Sequence, residues 1–219
     1  MWTAATASWE PKTSRFAMSD QNIVVLDLET QKSFKEVGRS NLHKLKISVA
    51  GTYDYLTDKY LAYEEREIME LEKRLQNVGL LIGFNIRDFD MAVLAPYIFR
   101  PVDQIPVLDL MEVVEKQRGH RASLDSIAGP TLKQHKSGHG ADALVMYAEG
   151  RLEELKRYCL DDVRLTKEVY EYGCREGKVF FTSSWDYKTY EIPVNWKQET
   201  HDLLERKATP AETFPTSLF

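Results

Sequence analysis

The chain of 219 residues carries only two cysteines, Cys159 and Cys174. Both fall in or beside one helical stretch, so they provide neither a disulfide framework nor a paired-cysteine metal knuckle. That usage fits a reducing compartment, and a cytoplasmic location is expected. No apolar run approaches the ~20 residues of a membrane-spanning helix, so no membrane association is expected. Positive charge is not in excess either. Lys and Arg number 29 against 34 Asp and Glu, a formal net charge of −5. This excludes a protein that coats nucleic acid by bulk charge, but not an enzyme that grips a few phosphates locally. Met1 to Gln21 lacks the apolar middle of a secretory signal. Residues 1–20 read as a flexible leader, and Met18 is an alternative start.

Hydrophobic residues make up 43% of the chain and charged residues 29%, enough for one domain with a sizeable core. The run Ile23-Val24-Val25-Leu26 is apolar without alternation, as in a central strand buried on both faces. Strands are also expected at Leu45 to Tyr53, Lys59 to Tyr63, Val78 to Phe84 and Val107 to Leu110. Helices are expected from Glu64 to Gln76, from Asn85 to Phe99 with an end or kink at Pro96, through Val114, and from the Ser123 cap to about Leu132. Lys133 to Gly140 is a basic, glycine-containing loop. The longest helix runs from about Leu152 to Cys174, with Gly173 and Gly177 as candidate terminators. Val179 to Val194 has strand character, and the segment from about Trp196 reads as loose because it carries Pro210 and Pro215. Three early strands followed by alternating helix and strand give an α/β protein with a mixed sheet.

The acids carry the chemistry. Asp27 and Glu29 end the central strand and, two residues apart, point the same way. Two adjacent carboxylates at a buried strand end repel each other and are costly to desolvate. Mg²⁺ or Mn²⁺ is the usual compensation; solvation in a loop just past the strand is the other reading. In the longest helix, Leu155, Tyr158, Asp162, Leu165 and Val169 form one apolar stripe, whereas Asp161 belongs to a charged one. Asp162 therefore needs a partner, either a cation site shared with Tyr158 or a neighbouring lysine or arginine. At the end of another buried strand stands Asn85-Ile86-Arg87-Asp88-Phe89-Asp90, with Asp88 as an N-cap and Asp90 in the first helical turn. Asp109 also fits an N-cap and is read as structural.

Asp27-Leu28-Glu29, then Asn85 followed by Phe89-Asp90, then Tyr158-x-x-x-Asp162 resemble, in order, the three motifs of the DEDD (DnaQ-like) superfamily of 3′–5′ exonucleases, tyrosine subclass. The similarity is greatest to small exonucleases related to the proofreading domains of family B DNA polymerases, and it spans about Ile23 to Gly173. It implies a ribonuclease H-like fold, a five-stranded mixed sheet flanked by helices, over residues 21–177. Residues 178–195 would be a C-terminal strand extension and 196–219 a loose tail. The implied reaction is hydrolysis from the 3′ end of single-stranded nucleic acid, DNA favoured and RNA close behind, with two divalent cations, Mg²⁺ or Mn²⁺. By the resemblance, Asp27 bridges both ions, Glu29 and Asp162 hold the one on the nucleophile side, Asp90 holds the other partly through water, and Tyr158 orients the attacking water. Thr30 and Asn85 are expected at the substrate, with Lys136 on a phosphate. A separate polymerase or helicase is a candidate partner. A catalytically idle binding or scaffold module on the same fold is the competing reading. The tyrosine motif counts against a ribonuclease H-type endonuclease. His135 and His139 lack a third ligand for zinc. Tyr53, Tyr55, Tyr60 and Tyr63 are read as sheet residues; Trp185, Tyr187, Tyr190 and Trp196 either cover a sheet edge or meet a partner.

Overall fold

A computed structural model describes residues 22–138 and 140–208. The leader with Met18, the last residues of the tail, and His139 lie outside the described residues. The apolar run forms strand β1 (Ile23–Thr30), flanked on one side by β2 (Ile47–Asp54) and β3 (Lys59–Glu64) and on the other by β4 (Leu80–Gly83) and β5 (Val107–Asp109). The order is β3-β2-β1-β4-β5. β1 pairs antiparallel with β2 and β2 with β3, whereas β1–β4 and β4–β5 are parallel. This is the expected ribonuclease H-like arrangement, a five-stranded mixed sheet flanked by helices; these include α1 (Phe34–Val37), α4 (Leu110–Arg118) and α6 (Gly140–Ala148).

Alternate residues of β1 feed two cores. Val24, Leu26 and Leu28 pack with Leu71 and Leu75 of helix α2 (Ile68–Leu75) and with Val93 and Leu94 of α3 (Asp90–Leu94). Ile23 and Val25 face α5 (Leu124–Leu132) and the long α7 (Leu152–Glu176), meeting Ile127, Val163, Leu165 and Val169. Burying such side chains contributes roughly 1.5–3 kcal/mol each. Asp27 and Glu29 continue the Ile23–Val25 face, so the strand delivers both acids beneath α7. Opposite Asp27 stands Gly51, where an added Cβ would lie 2.8 Å from Cys159 Sγ and 3.0 Å from Val163. Glycine there is what lets α7 approach the sheet this closely.

Three boundaries differ from the sequence reading. The helix expected from Asn85 starts only at Asp90, because Asn85 takes a left-handed φ of 63° and Asp109 ties down the backbone N–H groups of Asn85 and Arg87. Asp88 is therefore not the cap; it is exposed and pairs with Arg121 at 3.1 Å. Gly173 does not end α7 but lies inside it, and Gly177 caps it in a left-handed conformation. The segment from Trp196 is not loose throughout: Trp196–Ala208 is helix α8. Trp196 is fully buried, and a Cβ on Gly173 would fall 2.3 Å from its ring. That long-range fit fixes the start of α8. The aromatic stretch before it is a separate hairpin, β6 (Lys178–Thr182) and β7 (Thr189–Pro193), packed mainly on α5. Among the described residues no helix is long and apolar enough to cross a membrane.

Candidate active site

The carboxyl end of β1, the middle of α7 and the loop after α5 converge. One carboxylate oxygen from each of Asp27, Glu29 and Asp162 lies within 4.8 Å of the other two. Asp162 is buried, as its place on the apolar stripe of α7 requires, whereas Asp161 turns outward to Arg164 at 2.7 Å. Asp90, at the start of α3, is also buried but stands outside that trio. Its Oδ1 accepts the N–H of Leu28 at 2.9 Å, between the two acids of β1.

Crowding dominates the electrostatics. Burial, then the charge of Asp162, pushes the Asp27 carboxyl up to about 8. Burial and the charge of Asp27 also raise Glu29 and Asp90 well above the carboxylate range. Burial raises Asp162 against the pull of Lys136, whose Nζ lies 2.6 Å from Asp162 Oδ2. Burial opposes the Lys136 charge, but Asp162 and Asp27 outweigh it and hold the ammonium above its ordinary value. Asp162 thus lies on the Tyr158 stripe and also meets a lysine.

The compensation is incomplete. Among the described residues, Asp162 Oδ1 and the Tyr158 hydroxyl are both buried without a hydrogen-bond partner. Buried polar atoms are seldom left so. Three converging carboxylates with an unsatisfied oxygen among them form a hard, anionic donor set that suits Mg²⁺ or Mn²⁺. The residues present therefore fit a divalent cation.

Beside the acids opens a cavity of about 570 Å³, whose wall includes Asp27, Phe34, Asn85, Phe89, Arg121 and Lys136. Asn85 reaches it through its left-handed turn, and its Oδ1 accepts a hydrogen bond from Arg121. Thr30 follows a β-bulge and donates to the Lys32 carbonyl at 3.0 Å; it is not part of the cavity wall. The Lys136 loop is pinned by Asp125, which accepts the Lys136 N–H at 2.9 Å. Sequence reasoning missed Phe34, Arg121 and Asp125. Nothing local marks them, since they matter only once residues 34, 85, 121 and 136 are brought together in space.

Comparison with known proteins bears on the fold. Among curated proteins none matches the chain by sequence. Among solved structures it is similar to the family B DNA polymerase of the archaeon Pyrobaculum calidifontis, with 17% identity, TM-score 0.55, and coverage of 69% of this chain and 24% of the polymerase. The chain thus spans about a quarter of that polymerase. It is also similar to the Nibbler EXO domain of Aedes aegypti, with 12% identity, TM-score 0.53, and coverage of 85% and 88% of the two chains. At these identities the likeness concerns the fold. The RNase_H_2 model of the RNase_H superfamily matches residues 24–174, a stretch that runs from β1 through Asp162 and nearly to the end of α7, and on that match the chain belongs to the RNase H superfamily.

Proposed function

We propose that this protein is a metal-dependent 3′–5′ exonuclease of the tyrosine DEDD type acting on single-stranded nucleic acid, DNA favoured and RNA close behind. The observation that carries this reading is the convergence of Asp27, Glu29 and the buried Asp162, one oxygen of which has no partner among the described residues, beside a cavity of about 570 Å³ that Asp27 lines. That volume falls within the usual range for small-molecule sites, and one terminal nucleotide is the occupant the reading assigns to it.

In the reaction a water oxygen attacks the terminal phosphorus and the bond to the 3′ oxygen breaks. A nucleoside 5′-monophosphate and a shortened strand with a new 3′ hydroxyl result. Asp27, Glu29 and Asp162 would hold the divalent cations, with Asp90 completing the set. Bound there, Mg²⁺ or Mn²⁺ supplies Lewis acidity toward the attacking water and the leaving oxygen. Tyr158 orients the water. Burial, then the charge of Asp162, pushes its phenol further above the ordinary value, so it acts as a hydrogen-bond donor and not as a general base. Lys136 neutralises Asp162 before substrate arrives and offers its charge to a phosphate afterwards. Phe34 and Phe89 supply faces against which an unstacked base can rest.

The Lys136–Asp162 pair also favours a second reading. An ammonium already paired with one of the acids suits an idle binding module. The two are separated by incubating 5′-labelled single-stranded DNA and RNA with Mg²⁺, Mn²⁺ or EDTA, alongside Asp162→Asn. A metal-dependent ladder shrinking from the 3′ end, absent in the variant, is expected, and a circular substrate should stay intact. Intact linear substrate with every metal would sink the exonuclease reading in favour of the module.

A further inference from the structure

The hairpin of β6 and β7 presents two large rings to solvent. Trp185 is 92% exposed and Tyr187 is 83% exposed. Single exposed apolar residues are ordinary; two on one turn, held rigidly, are not. The Ser183 N–H donates to Lys188 O at 3.0 Å, and the Tyr187 N–H donates to Ser183 O at 3.0 Å. The Ser183 hydroxyl accepts the Trp185 N–H at 3.2 Å. Asp186 accepts both the Lys188 N–H and the Tyr190 hydroxyl. Tyr187 itself sits at φ 54°, the left-handed region that favours glycine and is uncommon for a bulky aromatic. The turn thus holds a tyrosine where glycine fits better, and that ring is largely exposed.

The hairpin is joined to the proposed active site by one short segment. Arg118 lies over the Tyr190 ring at 3.7 Å, and His120 packs on Phe181 with ring centroids 5.5 Å apart. The next residue, Arg121, lines the cavity together with Ser123. From Phe181 to Trp185 is four residues, at most about 14 Å of chain. Arg118 and His120 in this segment and Lys188 in the turn are basic, while the Asp186 carboxylate is engaged within the turn.

We propose that the hairpin turn is a stacking platform for single-stranded nucleic acid, on which Trp185 and Tyr187 hold bases of the strand whose 3′ end lies in the cavity. The proposal rests on the exonuclease reading for the direction of the strand. Every base has a π-face, so stacking tolerates sequence, and a turn whose backbone is already hydrogen-bonded loses less entropy on binding.

The test compares the wild type, Trp185→Ala and Tyr187→Gly on oligonucleotides of about 20 and about 4 nucleotides, bracketing typical single-strand footprints. Binding is read by anisotropy with Ca²⁺ present, and turnover with Mg²⁺. Each variant should bind the long strand about tenfold more weakly, leave turnover of the short one unchanged, and raise KM only for the long one. Tyr187→Gly relieves the left-handed backbone, so its Tm should hold or rise while its affinity falls. Those opposite signs exclude a folding artefact. Variants that match the wild type on the long strand overturn the platform even if hydrolysis is normal, and leave a protein partner as the occupant of the turn. A wild type that binds the long strand through these rings but never cuts it overturns the exonuclease reading and leaves the platform standing.

Discussion

Two strand ends in this sheet gather buried acids, and they treat them differently. At the end of β5, Asp109 is buried yet satisfied: its oxygens accept N–H groups from Asn85 at 2.8 Å, Arg87 at 3.1 Å and Met111 at 3.0 Å. At the end of β1, Asp27 and Glu29 meet Asp162, whose Oδ1 accepts nothing. The residue types are alike, but Asp27 and Glu29 are half-buried where Asp109 is fully buried. Donors separate them: backbone amides fix Asp109 as part of the scaffold, while the β1 cluster has the Lys136 ammonium on Asp162 and the weakly donating Cys159 thiol on Asp27. A buried carboxylate with a full set of amides is structure, and crowded ones without them mark a site that gains from a cation.

The sharpest way to break that contrast is to remove one acid from each end. Asp109→Ala leaves three backbone N–H groups without their acceptor and should destabilise the fold by about 3 kcal/mol, read by denaturant unfolding. Asp27→Ala or Asp162→Asn should instead lower turnover by about 10³-fold or more, the scale of losing a principal catalytic group. Asp27→Ala removes repulsion, so its metal-free fold should be unchanged or firmer; Asp162→Asn removes repulsion but also the partner of Lys136, so its stability should change little. A large stability loss in Asp162→Asn together with residual activity would contradict the assignment.

Part of the strand-end contrast is legible in the sequence. The apolar run places β1, period two puts Asp27 and Glu29 on one face, and the stripe through Leu155 and Val169 turns Asp162 inward. Asp109 and Ser123 reveal themselves as caps, because a cap is a local pattern. Asp90 is legible as a motif residue, but not its bond to Leu28, which crosses 62 positions. Gly51 and Gly173 give no signal as close-approach positions, since a missing Cβ matters only against a partner far along the chain. Trp196 misleads for the same reason. Beside proline-containing sequence it looks like the start of a tail, and only its fit against Gly173 makes it the anchor of α8.

The next effect is pH dependence without metal. The Asp27 carboxyl lies at about 8 in the folded chain against an ordinary 3.8, so between those values the folded state holds more protons than the unfolded. Stability from this group is therefore complete below about pH 4 and is lost as pH rises through about 8. The raised Glu29, Asp90 and Asp162 act with the same sign. In EDTA, Tm should fall from pH 5 to pH 9 by several degrees, on the order of 5 °C. Mg²⁺ or Mn²⁺ should restore more of it at pH 9 than at pH 5, because a cation binds the deprotonated set. Removing Asp27 should flatten both trends; Asp109→Ala should leave the metal response in place.

The smallest effect comes from Lys136, and it shows how far one ammonium substitutes for a cation. Lys136→Met keeps the length of the stem but leaves Asp162 without its 2.6 Å partner. Breaking a buried pair can cost 3–5 kcal/mol when the remaining charge cannot be discharged. Asp162 can take a proton, so the loss should be smaller, about 1–2 kcal/mol in EDTA at pH 8, and smaller again at pH 5. With saturating Mg²⁺ the cation takes over the role of counter-charge, and the stability gap to wild type should nearly close. Turnover should still suffer: a charged hydrogen bond to a substrate phosphate contributes roughly 1.5–3 kcal/mol, so kcat/KM should fall about tenfold even with metal present. If Mg²⁺ leaves the stability gap unchanged, Lys136 is a structural counter-ion like the amides around Asp109, and the contrast between the two strand ends fails at this residue.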